Sequence, residues 1–178
     1  FFPNPPPQTF PADPAFGTDA PEVTGADFEG NPTAIQHDGV AKGVVFLAHW
    51  CPHCQDEVPE VTRWLEETGG VEGTEIVSVA TSMDRTRENF PASEWLEEEG
   101  WPNPIIADDA DNSAYLSYGA GGFPYWVFLD GEGKVVARTA GRLDTTTLES
   151  LLVGRKRPQG LFGACRKGQQ TRADPIVL

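Results

Sequence analysis

Residues 44–54 have the sequence VVFLAHWCPHC. The first five of them are apolar, and a segment with helical periodicity starts at Cys54 and continues towards Thr68. A short apolar run that precedes such a segment is typical of a buried strand leading into a helix. The stretch therefore predicts that two cysteines, separated by Pro52 and His53, lie in the first turn of a helix that follows a central strand.

The spacing of the two cysteines predicts a dithiol that can close and open. Positions i and i+3 of a helix lie on the same face, so the sulfurs of Cys51 and Cys54 can reach bonding distance without a movement of the backbone. The ring closed by such a disulfide is short and would constrain the unfolded chain little. We therefore expect a redox-active disulfide and not a structural one.

The surroundings of the pair predict a role for each residue of the motif. Unpaired N–H groups and the helix dipole stabilise negative charge at Cys51, which we predict to be the nucleophile. Pro52 suits the first helical turn because it has no N–H to leave unpaired. His53 can place a positive charge or a hydrogen-bond donor beside that sulfur, and a stabilised thiolate makes the couple oxidising. Cys54 is expected to be the less exposed thiol and to resolve mixed disulfides.

His49 ends the predicted strand, two residues before Cys51. A histidine there can tune the nucleophile electrostatically. The alternative is a surface residue at a strand end, with no part in the chemistry.

A metal site is another use of a cysteine pair. Zinc usually takes four ligands, often from a second pair, but the remaining candidates are scattered at His37, His49 and Cys165. Haem attachment through C-x-x-C-H requires a histidine where Gln55 stands. We predict neither a metal nor another cofactor, and we keep as an alternative a copper or zinc carrier that uses the pair with His49 or His53.

The rest of the chain predicts alternating strands and helices. Two short extended pieces surround turns at Gly25 and Gly30. The later elements are a strand at 75–80, a helix from Pro91 to about Glu99, an extended stretch at 105–106, a short helix at 113–118 capped by Asn112, a hairpin of 125–129 with 134–138, and a helix from Asp144 to Gly154. This order is typical of an α/β protein with the thioredoxin fold, in which a central mixed β-sheet is flanked by helices on both sides.

Composition divides the chain into three parts. Residues 1–20 are rich in proline, which predicts an extended, semi-rigid linker. Residues 21–154 are long enough to form one thioredoxin-like domain, in a chain with 39% hydrophobic residues. Residues 155–178 contain six basic residues and one acidic residue and are predicted to be a basic tail. The formal net charge of -14 argues against binding of nucleic acid by the domain.

Both ends of the sequence leave alternatives open. The chain starts at Phe1 and not at methionine, and we expect a signal peptide or membrane anchor, or else a further domain, to have preceded the linker. The sequence contains no run of about 18 apolar residues, so it predicts no transmembrane helix. In the tail, Cys165 could pair with another chain, act as a redox-sensitive handle, or have no role. The basic tail could contact an anionic surface or the acidic domain, or stay solvated.

Residues 50–59, with the sequence WCPHCQDEVP, resemble the W-C-x-x-C-x-x-E-x-P signature of the TlpA-like and ResA-like thiol-disulfide oxidoreductases. These are extracytoplasmic bacterial proteins with the thioredoxin fold. The resemblance extends from about Ala20 through Gly154 and includes Gly-Phe-Pro at 122–124 and Leu-Asp-Gly-Glu-Gly at 129–133. The inner Pro-His dipeptide departs from the reducing members and is similar to that of the oxidising DsbA-type proteins.

The resemblance implies roles for four further residues. Glu57 matches the family's acidic residue, whose carboxyl could exchange a proton with Cys54; the alternative is an exposed glutamate without chemistry. Phe123 and Pro124 match the segment whose proline is cis and lies against the disulfide, where the Phe123 backbone could pair with an extended substrate chain. Trp50 would line the same surface, or be a core residue at the strand end.

These features predict an extracytoplasmic thiol-disulfide oxidoreductase, secreted or membrane-anchored in a bacterial cell envelope, that oxidises protein cysteines through Cys51 and Cys54. The first alternative is a disulfide reductase of the cytochrome c maturation type, which runs the same chemistry in reverse, and the second is the metal carrier. We expect a monomer that exchanges electrons with protein thiols and disulfides and with a membrane or soluble redox partner, and that binds no nucleic acid.

Overall fold

The structure is a computed structural model that describes residues 13–153. Its elements are β1 (Val23–Ala26), β2 (Pro32–Ile35), β3 (Ala41–Leu47), α1 (Pro52–Thr68), β4 (Thr74–Ala80), α2 (Ala92–Glu98), β5 (Ile105–Ala107), α3 (Ser113–Ser117), β6 (Tyr125–Leu129), β7 (Val135–Ala140) and α4 (Thr145–Val153). None of the helices within these residues is long and apolar enough to cross a membrane.

Five of the strands form one mixed sheet in the order β5-β4-β3-β6-β7. β4 is parallel to both β3 and β5, whereas β6 is antiparallel to β3 and to β7. β1 and β2 form a separate antiparallel pair. The central mixed sheet and the antiparallel hairpin of β6 with β7 are as predicted, and the protein has the thioredoxin fold.

The central strand β3 is buried along its whole length. On one face, Val45 and Leu47 pack in a cluster with buried residues of α1, α2 and α4. On the other face, Val44 and Phe46 pack with residues of α3 and with the segment that precedes β1. A strand that is covered on both faces has a continuous apolar sequence, which is why residues 44–48 predict a central strand. The predicted helices on both sides of the sheet are confirmed.

Gly25 does not form the predicted turn. It lies inside β1, where it pairs with Thr33, and a Cβ at this position would stand 2.9 Å from the Cγ2 atom of Ile106 in β5. The glycine therefore allows the β1-β2 pair to pack closely over the edge of the main sheet. Gly30, with a φ of 89°, does occupy the turn between β1 and β2.

Asn112 precedes α3 but does not cap it, in contrast to the prediction. Its backbone is left-handed, with a φ of 56°, and its Oδ1 atom accepts hydrogen bonds from the Thr81 hydroxyl and the Ser82 amide. The first amides of α3 are instead bound by Asp108 and Asp109. Asn112 thus holds the chain that leaves β4 on its way to the active-site side of the sheet.

Residues 13–20 contact the domain. The Asp13 carboxylate forms two hydrogen bonds, of 2.6 and 2.7 Å, with the Arg138 guanidinium of β7, and Asp19 pairs with Lys134 at 2.8 Å. The contacts of the fold therefore begin earlier than the predicted boundary at residue 21. Residues 1–12 and the predicted basic tail lie outside the described residues, and the three-part division stays a prediction.

His49 is buried, with 1% of its surface exposed, so the alternative of a surface residue is wrong. Its Nε2 atom accepts a hydrogen bond of 3.1 Å from the Asp84 amide, and its Nδ1 atom lies 2.6 Å from the Glu88 carbonyl oxygen. Because Nε2 accepts, Nδ1 carries the proton and donates, and the ring is neutral in this arrangement. His49 therefore fastens the 82–90 loop to the end of β3.

Replacing His49 by alanine is expected to destabilise the protein by roughly 2–4 kcal/mol, because it leaves a cavity and two backbone groups without their partner. The matched control is His53→Ala, which removes an exposed imidazole four residues away and should cost less than about 0.5 kcal/mol. Denaturant unfolding measures both, and hydrogen exchange at the Asp84 amide should accelerate only in His49→Ala. Equal effects of the two substitutions would contradict this role of His49.

Candidate active site

The two cysteines lie where the sequence predicts them. Cys51 is the N-cap residue of α1, with extended backbone angles of -81° and 120°, and Pro52 is the first helical residue. Both thiols are free; Cys51 is 6% exposed and Cys54 is fully buried. Pro52 and His53 are exposed. The more accessible sulfur is thus the one at the positive end of the helix dipole, while its neighbour is enclosed by the core.

The Phe123–Pro124 peptide bond is cis, as the resemblance implies. The Cys51 thiol points at this segment and donates a weak hydrogen bond of 3.5 Å to the Phe123 carbonyl oxygen. Pro124 is buried and the Phe123 ring is half-buried. The loop before β6 and the start of α1 therefore meet at the Cys51 sulfur.

Three aromatic rings form a continuous surface beside Cys51. The half-buried Trp50 ring meets Phe123 edge to face at 5.7 Å, and Phe123 stacks on Tyr115 at 4.9 Å. The Trp50 indole N–H donates a hydrogen bond of 2.7 Å to the Ser82 carbonyl oxygen, which fixes the ring. Sequence reasoning missed Tyr115, because nothing in the local pattern around α3 indicates that it reaches the active-site loop.

Burial raises the pKa of Cys54. The neighbouring Cys51 and the Glu57 carboxylate raise it further, whereas a hydrogen bond to the Ala48 backbone lowers it. Cys54 therefore stays protonated unless a nearby base takes its proton, because a thiolate in this position would lose its hydration without gaining a cation.

Glu57 is 1% exposed, so the alternative of a solvent-exposed glutamate is wrong. Its Oε1 atom accepts hydrogen bonds from the Trp126 indole N–H at 3.0 Å and from the Leu143 amide at 2.9 Å. Its Oε2 atom is buried and has no hydrogen-bond partner among residues 13–153. Burial raises the pKa of Glu57 to about 7, although the bonds from Leu143 and Trp126 lower it. A carboxyl group that titrates near neutral pH thus lies one turn beyond Cys54.

Sequence reasoning also missed the groups that hold Glu57. Trp126 is fully buried in β6, and its ring stacks on Phe128 at 5.7 Å. A buried indole N–H needs an acceptor, so a tryptophan in a fully apolar strand is the one signal for a buried carboxylate nearby. Arg142, beside Leu143, forms ion pairs with Asp56 and Glu60 of α1 and ties the loop before α4 to this helix.

The geometry counts against a metal site that uses His49. Both ring nitrogens are engaged with the 82–90 loop, so neither can bind a metal without breaking a hydrogen bond. Within the described residues, no three His, Cys, Asp or Glu side chains are grouped so that they could hold a metal ion. Cys165 lies outside these residues.

Comparison with known proteins agrees with the site. The chain matches the Redoxin family over residues 15–152. It is 36% identical over 111 residues to nucleoredoxin of Danio rerio, covering 60% of this chain and 25% of that protein. It is 30% identical over 125 residues to the thiol:disulfide interchange protein DsbE of Pseudomonas aeruginosa, covering 70% of this chain and 59% of the relative. The chain thus spans from about a quarter to three fifths of these relatives.

A solved structure supports the same assignment. The thioredoxin domain of a thiol-disulfide oxidoreductase from Bacteroides vulgatus is 26% identical to the chain, with a TM-score of 0.60. The match covers 80% of this chain and 98% of that domain. With a matched family over most of its length and a free dithiol at the start of α1, the chain belongs to the Redoxin family, and its domain is a thiol-disulfide oxidoreductase domain with the thioredoxin fold.

Proposed function

We propose that the protein oxidises cysteines of other proteins outside the cytoplasm, with Cys51 as the sulfur that forms the mixed disulfide. The observation that carries this proposal is the position of Cys51, which caps α1 and faces the loop of the cis Pro124 while Cys54 is enclosed behind it. Only one of the two sulfurs is then open to a bulky protein substrate, and the other can only react within the domain.

The reaction starts from the disulfide of Cys51 and Cys54. A substrate thiolate attacks the Cys51 sulfur, which forms a mixed disulfide and releases Cys54 as a thiolate that takes up a proton. A second substrate thiolate then attacks the substrate sulfur of the mixed disulfide and releases Cys51 as a thiolate. The substrate loses two electrons and gains a disulfide, and the domain is left as a dithiol. The N-terminus of α1 stabilises the second leaving group, with exposed His53 beside it.

Glu57 is the proton donor and acceptor for Cys54 in this scheme. Cys54 cannot remain a thiolate in the core, and the Glu57 carboxyl titrates near pH 7 one helical turn away. A protonated Glu57 can supply the proton when Cys54 leaves, and an ionised Glu57 can remove it when Cys54 attacks. Its unpartnered Oε2 atom is the one available for this transfer, since Oε1 is held by Trp126 and Leu143.

Phe123 and Trp50 form the surface that receives the substrate chain. In the dithiol, the Phe123 carbonyl oxygen accepts a hydrogen bond from the Cys51 thiol. In a mixed disulfide the thiol proton is gone, so the carbonyl becomes free to accept a backbone N–H of an extended substrate. The Trp50 and Phe123 rings offer apolar contact area beside that bond.

The proposed location follows from the chemistry. Disulfides formed in substrates persist in oxidising compartments and are reduced in the cytosol. We therefore place the protein in a bacterial cell envelope or outside the cell, as a monomer that is reoxidised by a membrane or soluble partner. Because the matched relatives come from both vertebrates and bacteria, this location rests on the dithiol and not on the comparisons.

Trapping of mixed disulfides tests the roles of the two sulfurs. With Cys165→Ser as the common background, Cys54→Ala should accumulate a covalent adduct with a disulfide-containing peptide at Cys51, because the second sulfur is absent. Cys51→Ala, the matched variant, should accumulate at least tenfold less adduct, since Cys54 is fully buried. Mass spectrometry before and after reduction measures the adducts. Equal trapping at the two positions would contradict the proposal.

The direction of electron flow is tested by the reduction potential of the couple. We expect a value nearer that of DsbA, about -120 mV, than that of thioredoxin, about -270 mV. His53→Ala should lower the potential, because the Cys51 thiolate loses a neighbouring donor, and roughly 30 mV corresponds to a tenfold change in the equilibrium constant. Equilibration with glutathione buffers measures both. A wild-type potential at or below that of thioredoxin would favour the reductase.

The role of Glu57 is tested by the pH dependence of Cys54. In wild type, attack of Cys54 on a mixed disulfide should accelerate as the pH rises through about 7, where Glu57 ionises. Glu57→Gln should lose this inflection and slow the step by roughly 10²-fold or more above it, since a general base is removed. The matched control is Glu66→Gln, an exposed position on the same helix. An unchanged pH profile in Glu57→Gln would exclude the role.

The same shift predicts how stability depends on pH. The pKa of Glu57 is higher in the folded protein than in the unfolded chain, so the unfolded chain ionises first and stability is lost as the pH rises from about 4.5 to about 7. The loss amounts to roughly 3 kcal/mol at 1.36 kcal/mol per pKa unit. Glu57→Gln should lack this loss, so its stability relative to wild type should increase from pH 5 to pH 8, as followed by urea unfolding.

A further inference from the structure

Two arginines on the 82–90 loop form no ion pair within the described residues. Four of the seven lysine and arginine side chains in residues 13–153 form ion pairs with carboxylates, namely Lys42, Lys134, Arg138 and Arg142. Arg63, Arg85 and Arg87 form none within these residues. In a chain with 27 acidic residues and 13 basic ones, two neighbouring arginines without a carboxylate partner are unexpected.

Both loop arginines lie over aromatic rings. The Arg87 guanidinium is 4.4 Å from the centroid of Trp50, and the Arg85 guanidinium is 5.9 Å from that of Phe90. Stacking uses the face of a guanidinium and leaves the N–H donors at its edge free for a carboxylate. Arg87 therefore stacks on the residue that directly precedes Cys51 in the chain.

The loop that carries these arginines is firmly held to the active site. His49 binds its backbone at Asp84 and at Glu88, on either side of Arg85 and Arg87. The Asn89 side chain donates to the His49 carbonyl oxygen at 3.3 Å, and Trp50 is bonded to Ser82 as described above. A binding group gains affinity when its backbone is already in place, because less entropy is lost on binding.

Neither carboxylate of the loop forms an ion pair with Arg85 or Arg87, although Arg87 is near enough to Asp84 for its charge to act on that carboxylate. Asp84 accepts hydrogen bonds from the amide and hydroxyl of Thr86, and Glu88 accepts one from Gln55. The loop is therefore neutral in sum, and any preference for an anion must come from short-range contacts with the guanidinium edges and not from a long-range field.

We propose that Arg85 and Arg87 form a carboxylate-binding surface that selects protein substrates with an acidic residue close to the reacting cysteine. The apolar part of such a peptide would lie on exposed apolar side chains of the 82–90 loop and of α3. Of the five large apolar side chains that are exposed within residues 13–153, Met83 and Phe90 belong to this loop and Leu116 follows Tyr115. This inference rests on the proposed function, because it concerns which substrates Cys51 receives.

The test compares two synthetic peptides that each contain two cysteines and differ only in glutamate or glutamine beside them. The quantity measured is the second-order rate constant for oxidation of each peptide by the oxidised protein, at an ionic strength of about 0.1 M, where the screening length is about 10 Å. The ratio of the glutamate rate to the glutamine rate is then compared between proteins. Because every protein meets the same two peptides, differences in peptide reactivity cancel in this comparison. Variants that replace a distant arginine or that keep the charge separate the local contacts from the change in net charge.

In Arg85→Gln/Arg87→Gln the ratio should fall about threefold to tenfold relative to wild type, as expected for two exposed charged contacts. Arg63→Gln is the matched control. It removes an arginine without an ion pair that lies about 18 Å from Cys51 along α1, which is further than the screening length. It should change the ratio less than twofold. Arg85→Lys/Arg87→Lys should retain part of the preference, because it keeps the charge but not the planar fork.

The outcomes separate this inference from the proposed function. If the ratio in Arg85→Gln/Arg87→Gln equals that of wild type while both peptides are still oxidised, the carboxylate-binding surface is refuted and the oxidoreductase remains. The same fall of the ratio in Arg63→Gln would also refute the carboxylate-binding surface, since the loss of any positive charge on the domain would then explain the fall. If wild type oxidises neither peptide, the proposed function fails and this inference fails with it.

Discussion

The active site depends on the burial of β3 on both faces. A strand covered by α1, α2 and α4 on one side and by α3 on the other can expose its chain only at its ends. The carboxyl end of β3 is where the chain turns into α1, and this turn places Cys51 at a helix N-terminus with its amide bonded to the Ala48 carbonyl oxygen. The position of Cys51 therefore follows from the packing of the core.

Two loops from distant parts of the sequence complete the site, and each is held by a different kind of contact. The loop before β6 reaches the sulfur through the Phe123 carbonyl oxygen and the stack of Phe123 on Tyr115. The 82–90 loop is held by the neutral ring of His49 and by the indole of Trp50. The two residues before Cys51 thus organise the surroundings of the dithiol, although neither lies inside the C-x-x-C motif.

The limits of sequence reasoning follow from the range of the contacts. The order of strands and helices along the chain, and with it the fold class, depends on local patterns such as an apolar run and a helical period, and the placement of both cysteines depends on the proline at the first turn. The surface alternative for His49 and the capping role of Asn112 are wrong because the partners of these side chains, at Asp84, Glu88, Thr81 and Ser82, are about thirty to forty residues away along the chain. No local pattern distinguishes a polar residue that binds a distant backbone from one that faces solvent.

The surroundings of Glu57 support the proposed role of its carboxyl group, because they destabilise its charged form more than a purely structural contact would. A structural role would be served by a neutral side chain that accepts from Trp126 and Leu143, whereas Glu57 also buries an oxygen without a partner and ionises only at raised pH. Such a group costs stability in the pH range where it becomes charged. Glu57 lies one helical turn from Cys54, a thiol whose charged form is likewise disfavoured by burial. Two buried groups that each disfavour their own ionisation thus lie one helical turn apart, and in the proposed mechanism Glu57 is the group that takes up or returns the Cys54 proton as the disulfide closes and opens.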